Sequence, residues 1–381
     1  MSLTCICSKL LEHIICRHIL NHLETHGILT HLQHGFRSGH SCESQLLNTL
    51  HDLTLNFEQK HQIDIAVLDF AKAFDTVPHD HLLGKLDHYG IDKNIHSWVK
   101  SFLKGRTQRV VVDGDQSSSA EVESGVPQGT VLGPLLFLIY INDLPDSVKS
   151  QVRLFADDCL LYRIIKSAED QHTLQENLRS LEQWCAKWGM HLNSSKCEVM
   201  TICRRRNQLS CMYTINGEVL KTVDKAKYLG VTIANTLSWS THTSITAGKA
   251  NGKIGFLWRN LRHCPKELKE QAYFALVRSI IEYSAAVWDP HLKKDIAQLE
   301  RVQRRAARFV TGDSSWSSSV TSMIKDLGWD SLEDRRRDIR LALFYKAVHG
   351  LTAVETEGIL VPADPQTRGY HSFATIIVHS T

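Results

Sequence analysis

Three carboxylates fall where they can do chemistry. Asp69 closes the short apolar run IDIAVLDF (63–70), and Asp157 and Asp158 stand together inside VRLFADDCLLYRI (152–164). Short, β-branched apolar runs bounded by turn residues predict buried strands. A charged group at the end of such a strand is costly to bury unless something compensates it, and a bound divalent cation does so effectively. Carboxylates converging from separate strands can hold Mg²⁺, and two such ions ~3.5–4 Å apart stabilise the attacking and leaving oxygens of a phosphoryl transfer. Neighbours in continuous strand point to opposite faces, a rule that relaxes at a tight turn. Spacing alone leaves a plainer alternative open, in which the same residues cap strand ends or pair with Lys72 and Arg153.

The elements that must position these residues alternate between the two periodicities. Helical spacing of Leu10, Leu11, Ile14, Ile15, Ile19 and Leu23 predicts a helix over 8–26 stopped by Gly27, and a second is expected over 43–59. Pro78 and Asp80 open a helix that ends at Gly90, and a further helix carries Trp98, Phe102 and Leu103. TQRVVVDG (107–114) and the segment after the Ser-rich turn read as a hairpin. An apolar helix is expected over 130–144, then two strands over 152–164. A long amphipathic helix begins at Ser167, with Asp170 completing a capping-box pattern, and runs to about Trp188. Lys196–Cys203 is strand-like, TINGEV (214–219) carries an Asn-Gly hairpin signal, and KYLGVTI (227–233) closes the series. From about 241 the pattern is helical, as in 265–283 with Pro265 at a first helical position. TGDSSWSSS (311–319) is the best linker candidate, and VPADPQTRGYHSFATIIVHST (361–381) has no convincing periodicity.

Composition bounds the class. The 381 residues suffice for two or three domains, with ordinary hydrophobic (43%) and charged (22%) fractions. No apolar run reaches the ~18–20 residues of a spanning helix. The N-terminal segment lacks the features of a signal peptide, so the expected location is intracellular, nucleus and cytoplasm undistinguished. The ten cysteines include no C-x-x-C pair and read as free thiols. The net charge of +3 hides an asymmetry: residues 1–150 carry 12 Lys+Arg against 17 Asp+Glu, residues 151–381 carry 32 against 24. An acidic front and a basic back suit a metal-binding part and an anion-binding part. Arg301, Arg304, Arg305 and Arg308 share one helical face, opposite Val302, Ala306 and Phe309. That stripe suits a surface tracking a nucleic-acid backbone, or a solvated arginine face paired with Glu300 and other acids. Arg204–Arg206 and Arg335–Arg337 read as surface runs.

In order along the chain, LDFAKAFDTVPH (68–79), SGVPQGTVLGPLLFLIYINDL (124–144) and LFADDCLLY (154–162) resemble the active-site blocks of reverse transcriptases of non-LTR, LINE-type retrotransposons. LNSSKCEVM (192–200) and YLGVTI (228–233) continue the resemblance, SKLLEHII and QHGFRSGHS (33–41) resemble the fingers blocks, and WVKSFLKGRTQRV (98–110) the stretch between the first two palm blocks. The spelling F-A-D-D is similar to jockey- and CR1-like elements. The resemblance covers roughly 3–310. It implies Asp69 and Asp157 as metal ligands, helped by the Phe70 carbonyl, with Asp158 completing the catalytic set. Phe74 matches the steric-gate aromatic that occupies the space of a ribose 2′-OH, or is plain core packing. Gln128 would contact the incoming nucleotide or template from the V-P-Q-G-T loop, or serve as a turn residue. Lys196 would sit near the leaving pyrophosphate, or on an ordinary surface. Tyr228, Leu229 and Gly230 match the hairpin that supports the primer end, with packing the alternative role for Tyr228. Arg37 is expected as a nucleic-acid contact.

The resemblance implies an α/β right-hand polymerase: partial fingers (1–60), an antiparallel-sheet palm (61–240, the reverse transcriptase domain spanning about 1–235), a helical thumb (241–310), and a linker with a helical extension (311–381). It implies RNA-directed DNA synthesis with two Mg²⁺ ions (Mn²⁺ a substitute), an RNA template, a DNA primer and dNTPs, no membrane partner, and protein partners unspecified. The chain opens Met-Ser-Leu-Thr where the family carries a basic, proline-containing segment upstream, and it leaves no room for the endonuclease domain usual in these elements. The expectation is therefore a fragment with a formed palm and impaired or absent polymerisation, a non-catalytic nucleic-acid-binding remnant being the rival. A metal-dependent nuclease and a group II intron maturase are the further alternatives.

Overall fold

The computed structural model describes residues 5–205, 207–356, 360–361 and 374–375. Arg206 of the 204–206 basic run, and most of the segment 361–381, lie outside them. Two compact units emerge: one formed by the chain up to Ser41 together with Asn56–Asp224, the other by Cys42–Leu55 with the chain from Lys225 onward. No helix among the described residues is long and apolar enough to cross a membrane.

The first unit contains α1 (Ile6–Thr25), the last residues of α2 (Cys42–Glu58), α3 (His79–His88), α4 (Lys93–Leu103), α5 (Leu132–Ile141) and α6 (Ala168–Trp188). Its sheet is made of β1 (Gln62–Leu68), β2 (Gln151–Phe155), β3 (Asp158–Ile165), β4 (Glu198–Ile202) and β5 (Lys221–Thr222), in the order β5-β4-β1-β3-β2. β1 lies at the centre and runs antiparallel to β3 and β4, while β5 is parallel to β4. Burial explains the apolar runs: β1 is covered on both faces, so it shows no polar alternation. It carries one buried acid, Asp64, which accepts hydrogen bonds from the Tyr213 hydroxyl (2.7 Å), Thr201 (2.9 Å) and Gln62 (3.0 Å).

α5 is buried almost all round, as its unbroken apolar sequence requires. Two side chains cap its start: the Thr130 hydroxyl accepts from the Gly133 amide at 3.1 Å, and Glu12 Oε2, from a distant helix, accepts from the Val131 and Leu132 amides at 2.7 and 3.1 Å. α6 begins as its capping box predicts, with the Ser167 amide donating to Asp170 at 3.2 Å, and ends at Gly189 in the left-handed region (φ 65°).

The second unit opens on a hairpin of β6 (Lys225–Tyr228) and β7 (Val231–Ala234). Its two turn residues, Leu229 (φ 45°) and Gly230 (φ 83°), are both left-handed, which suits the twist of a two-residue hairpin. Helices α7 (Ser240–Leu261), α8 (Lys266–Tyr273), α9 (Lys293–Thr311), α10 (Val320–Asp326) and α11 (Leu332–Val348) follow. The helix expected over 265–283 is continuous but widens into a π segment at Phe274–Arg278. α9 buries Val302, Ala306 and Phe309, the face the arginines leave. Of the Arg335–Arg337 run, Arg337 is exposed as expected, while its two neighbours depart from a surface role. Arg336 is 1% exposed and donates to Asp289 at 2.6 Å, and Arg335 pairs with Glu282. Buried charge of this kind is tolerated because it is paired.

Candidate active site

The central strand delivers the first carboxylate. Beyond Leu68 the chain stays extended: the Ala71 amide donates to the His191 carbonyl and the Asn193 amide to the Asp69 carbonyl, both at 2.8 Å. The Asp69 amide donates to Cys197 Sγ at 3.4 Å. Asp69 is thus held by its backbone on both sides, and neither of these strand bonds uses the Phe70 carbonyl. Leu68 pairs with Cys159, so Asp69 leaves β1 beside Asp158, the first residue of β3. Between β2 and β3 the chain turns through Ala156 and Asp157 alone, Phe155 pairing with Asp158. A strand rule that would send Asp157 and Asp158 to opposite faces is relaxed by this turn, and the three carboxylates come to one end of the sheet.

The electrostatics of the cluster follow from its composition. Burial pushes the Asp157 carboxyl up from its ordinary value, and the neighbouring negative charge of Asp69 pushes it further, against a lowering backbone hydrogen bond. Asp69 Oδ2 is shielded from solvent and accepts no hydrogen bond, although the Lys196 ammonium lies 3.4 Å away. The ion pair at that distance is a charge contact without hydrogen-bond geometry. A shielded carboxylate oxygen without a donor, next to a second half-buried carboxylate, is a donor set for a hard cation that takes oxygen ligands. The described residues do not bring three such side chains into a closed ligand cluster.

The motif around Phe74 forms the floor. Phe74 stacks on Phe137 of α5 (centroids 4.3 Å apart, 22° between planes) and meets the exposed ring of Phe36 edge-on at 6.3 Å. The V-P-Q-G-T loop docks on the same turn: the Val126 amide donates to the Phe74 carbonyl and the Gly125 amide to the Val77 carbonyl, both at 2.8 Å. A Cβ on Gly125 (φ 84°) would stand 2.7 Å from the Asp75 carbonyl oxygen, so only glycine fits. Gln128 is exposed, and its amide donates to Asp75 Oδ1 at 2.9 Å. Lys72, Asp75, Arg106, Gln108 and Gln128 line an open groove of about 860 Å³ here. Asp69, Asp157, Asp158, Phe70 and Lys196 therefore share one end of the sheet, with Phe74 on the motif that follows Asp69 and Gln128 on the loop docked against that motif.

Other expected residues lie elsewhere. Arg37 turns inward: its guanidinium donates to the Thr30 carbonyl at 2.7 Å, within its own loop, and is half-buried. Tyr228, Gly230 and the four arginines belong to the second unit. Tyr228 is 2% exposed, its hydroxyl within 3.3 Å of the Gln45 amide nitrogen. Gly230 sits against Tyr283, whose hydroxyl donates to the Leu229 carbonyl at 2.9 Å. Arg301 bonds the Ala297 carbonyl (3.3 Å), Arg304 the Thr321 hydroxyl (3.3 Å), Arg305 the Asn251 amide oxygen (3.2 Å) and Arg308 the Ser315 carbonyl (2.7 Å). All four bonds go to neutral oxygens; Arg301, Arg304 and Arg305 are exposed, while Arg308 is half-buried against the loop at 315–318. Tyr283 carries no motif or spacing signal of its own, while Cys197 carries only its place in LNSSKCEVM and Asp75 its place as the last residue of A-F-D.

Comparison with known proteins places the chain in a family. The family described as "Reverse transcriptase (RNA-dependent DNA polymerase)" matches residues 1–233. The chain is 29% identical over 384 residues to the probable RNA-directed DNA polymerase from transposon BS of Drosophila melanogaster. It is 28% identical over 376 residues to the RNA-directed DNA polymerase from mobile element jockey of the same species. Those alignments cover 95% and 94% of this chain but 41% of each relative. Among solved structures, apo telomerase from Candida tropicalis aligns with a TM-score of 0.46 at 13% identity, covering 89% of this chain and 54% of that one. The chain belongs to the reverse transcriptase (RNA-dependent DNA polymerase) family.

Proposed function

We propose that this chain carries the polymerising centre of a retrotransposon enzyme, extending a DNA primer on an RNA template with dNTPs. The observation that supports this most is the juxtaposition of Asp69 and Asp157 at the end of the central strands, with Asp69 Oδ2 shielded and undonated. Mg²⁺ is the cation we assign to Asp69 and Asp157, with Mn²⁺ as a substitute. When bound it would polarise the phosphoryl oxygens and offset charge on the attacking and leaving oxygens. The residues contribute the rest. Asp69 and Asp157 are fixed from the backbone, so they present oxygens without reorganising. Lys196, whose ammonium is already at the cluster, neutralises charge on the departing diphosphate. Phe74, whose stack on Phe137 supports its ring, would exclude a 2′-OH. Gln128, oriented by Asp75, faces the groove that would receive the base pair. In the second unit the arginine face of α9 would track the backbone of the template–primer, without reading sequence.

Product analysis tests the reaction type. A labelled DNA primer on an RNA template should lengthen with dNTPs and Mg²⁺, and stay intact without dNTPs. Shortening without dNTPs would assign the same carboxylates to a nuclease. Binding of the duplex with no change in either strand would leave a nucleic-acid-binding protein.

A further inference from the structure

We propose that Gln33 is a positioning residue for Asp157, its carboxamide setting the turn on which that carboxylate is carried; the inference rests on the reading of Asp157 given above. The turn needs an external support. Ala156 has φ 53°, a conformation that costs an L-residue about 1–2 kcal/mol. In the two-residue turn between β2 and β3 the paired residues are Phe155 and Asp158, so the hairpin ladder does not serve the amide and carbonyl of Ala156. Gln33 serves both. Its Oε1 accepts from the Ala156 amide at 2.8 Å and its Nε2 donates to the Ala156 carbonyl at 3.2 Å. The side chain behaves as a strand partner for one residue, the one that precedes Asp157.

The support is itself anchored. Gln33 is 2% exposed, and the same Oε1 accepts from the Gly35 amide at 2.7 Å. Two amides on one oxygen and a carbonyl on the nitrogen fix the orientation of the carboxamide, since a flipped amide would face two N–H groups with N–H. The backbone on either side is pinned to β2: the His34 amide donates to the Leu154 carbonyl at 2.9 Å and the Leu154 amide to the Leu32 carbonyl at 3.0 Å. Gly35 lets the segment close on the turn, because a Cβ there would stand 2.3 Å from the Ala156 nitrogen. Residues 32–35 thus form a cradle whose polar contacts end on the peptide groups next to the carboxylate. Outer contacts of this kind set the orientation of a ligand without touching the cation.

The test uses the full chain and reads Mn²⁺ affinity by electron paramagnetic resonance titration without dNTPs, beside single-nucleotide incorporation. Gln33→Met keeps the length of the side chain and removes all three hydrogen bonds. We expect Mn²⁺ affinity and the maximal incorporation rate each to fall about 10-fold or more, with dNTP KM and duplex Kd unchanged. Gln33→Glu keeps the shape and the two accepted bonds, so it serves if the Met variant does not fold, and its Mn²⁺ affinity should fall less. Native Mn²⁺ affinity and rate in either folded variant, with only the melting temperature lowered, would overturn the positioning role. Asp157→Ala run alongside separates the two claims. If it loses Mn²⁺ affinity while the Gln33 variants keep it, the positioning role alone fails. If it keeps native affinity and incorporation, the reading of the site fails and the proposal with it.

Discussion

At the residue scale the site is a matter of a few oxygens held by backbone. Asp69 and Asp157 stood out in the sequence through the family-like blocks around them, since their spacing alone left strand capping or pairing with Lys72 and Arg153 open. The hydrogen bonds around them did not, because they come from residues far away in sequence, Cys197 to the Asp69 amide and Gln33 to Ala156, whose places in family-like blocks do not say what they bond. Arg37 shows the limit from the other side. Its place in a family block suggested a nucleic-acid contact, yet its guanidinium donates to Thr30 and it is half-buried. Phe74 makes a sharp prediction. Its ring is held against Phe137, so Phe74→Val should open space without moving the strand. Incorporation of ribonucleotides relative to deoxyribonucleotides should rise by about 10-fold or more, since removing a steric exclusion of this size is worth about 1–3 kcal/mol. An unchanged ratio, measured by competition on one template, would make Phe74 a packing residue only.

At the element scale, period and punctuation predicted most of the scaffold. The capping box at Ser167, the Asn-Gly turn at Asn216–Gly217 and the stops at Gly27 and Gly90 stand where expected. What the pattern could not show is the second cap of α5, because Glu12 is supplied by another helix. Nor could it show that Lys85 is buried. Its ammonium meets Asp143 at 2.6 Å and lies 3.8 Å from the centre of the Trp188 ring. Burial pushes its pKa down from 10.5 to about 8, while the Asp143 carboxylate works against that shift. Between pH 8 and 10.5 the unfolded chain therefore holds the proton that the folded chain has released, so this group makes stability rise with pH in that window. Replacing it by Met removes the dependence. Thermal unfolding of native and Lys85→Met protein from pH 7 to 10.5 should show the native curve gaining on the variant as pH rises; parallel curves would contradict the assignment. In the second unit, Gly230 allows a left-handed turn against Tyr283, where a Cβ would stand 3.0 Å from the ring. Gly230→Ala should cost about 1–2 kcal/mol, read as a lower denaturant midpoint. A midpoint within error of native would mean the turn relaxes freely.

At the scale of the whole molecule, charge divides as the fold does. The candidate carboxylates Asp69, Asp157 and Asp158 lie in the first unit, and the arginine face of α9 lies in the second. The division into units itself was not readable from composition, since α2 contributes residues 42–55 to one and 56–58 to the other. Contacts between segments distant in sequence decide such a division, and a single sequence does not display them. If the four arginines neutralise phosphates, their charges act through counterion release. Replacing Arg301 and Arg305 by Gln should then lower the slope of log K against log salt by roughly one for each phosphate left without its arginine. A slope equal to that of the native chain would return these residues to a solvated face.

The most direct test of the polymerase reading is incorporation of dNTPs on an RNA template by the native chain, Asp69→Asn and Asp157→Asn, with duplex binding measured on the same samples. The expected result is extension by the native chain, loss of extension in both variants by about 10³-fold or more, and retained binding and folding in all three. Extension that survives in both variants would contradict it, as would a native chain that binds the duplex tightly and adds nothing.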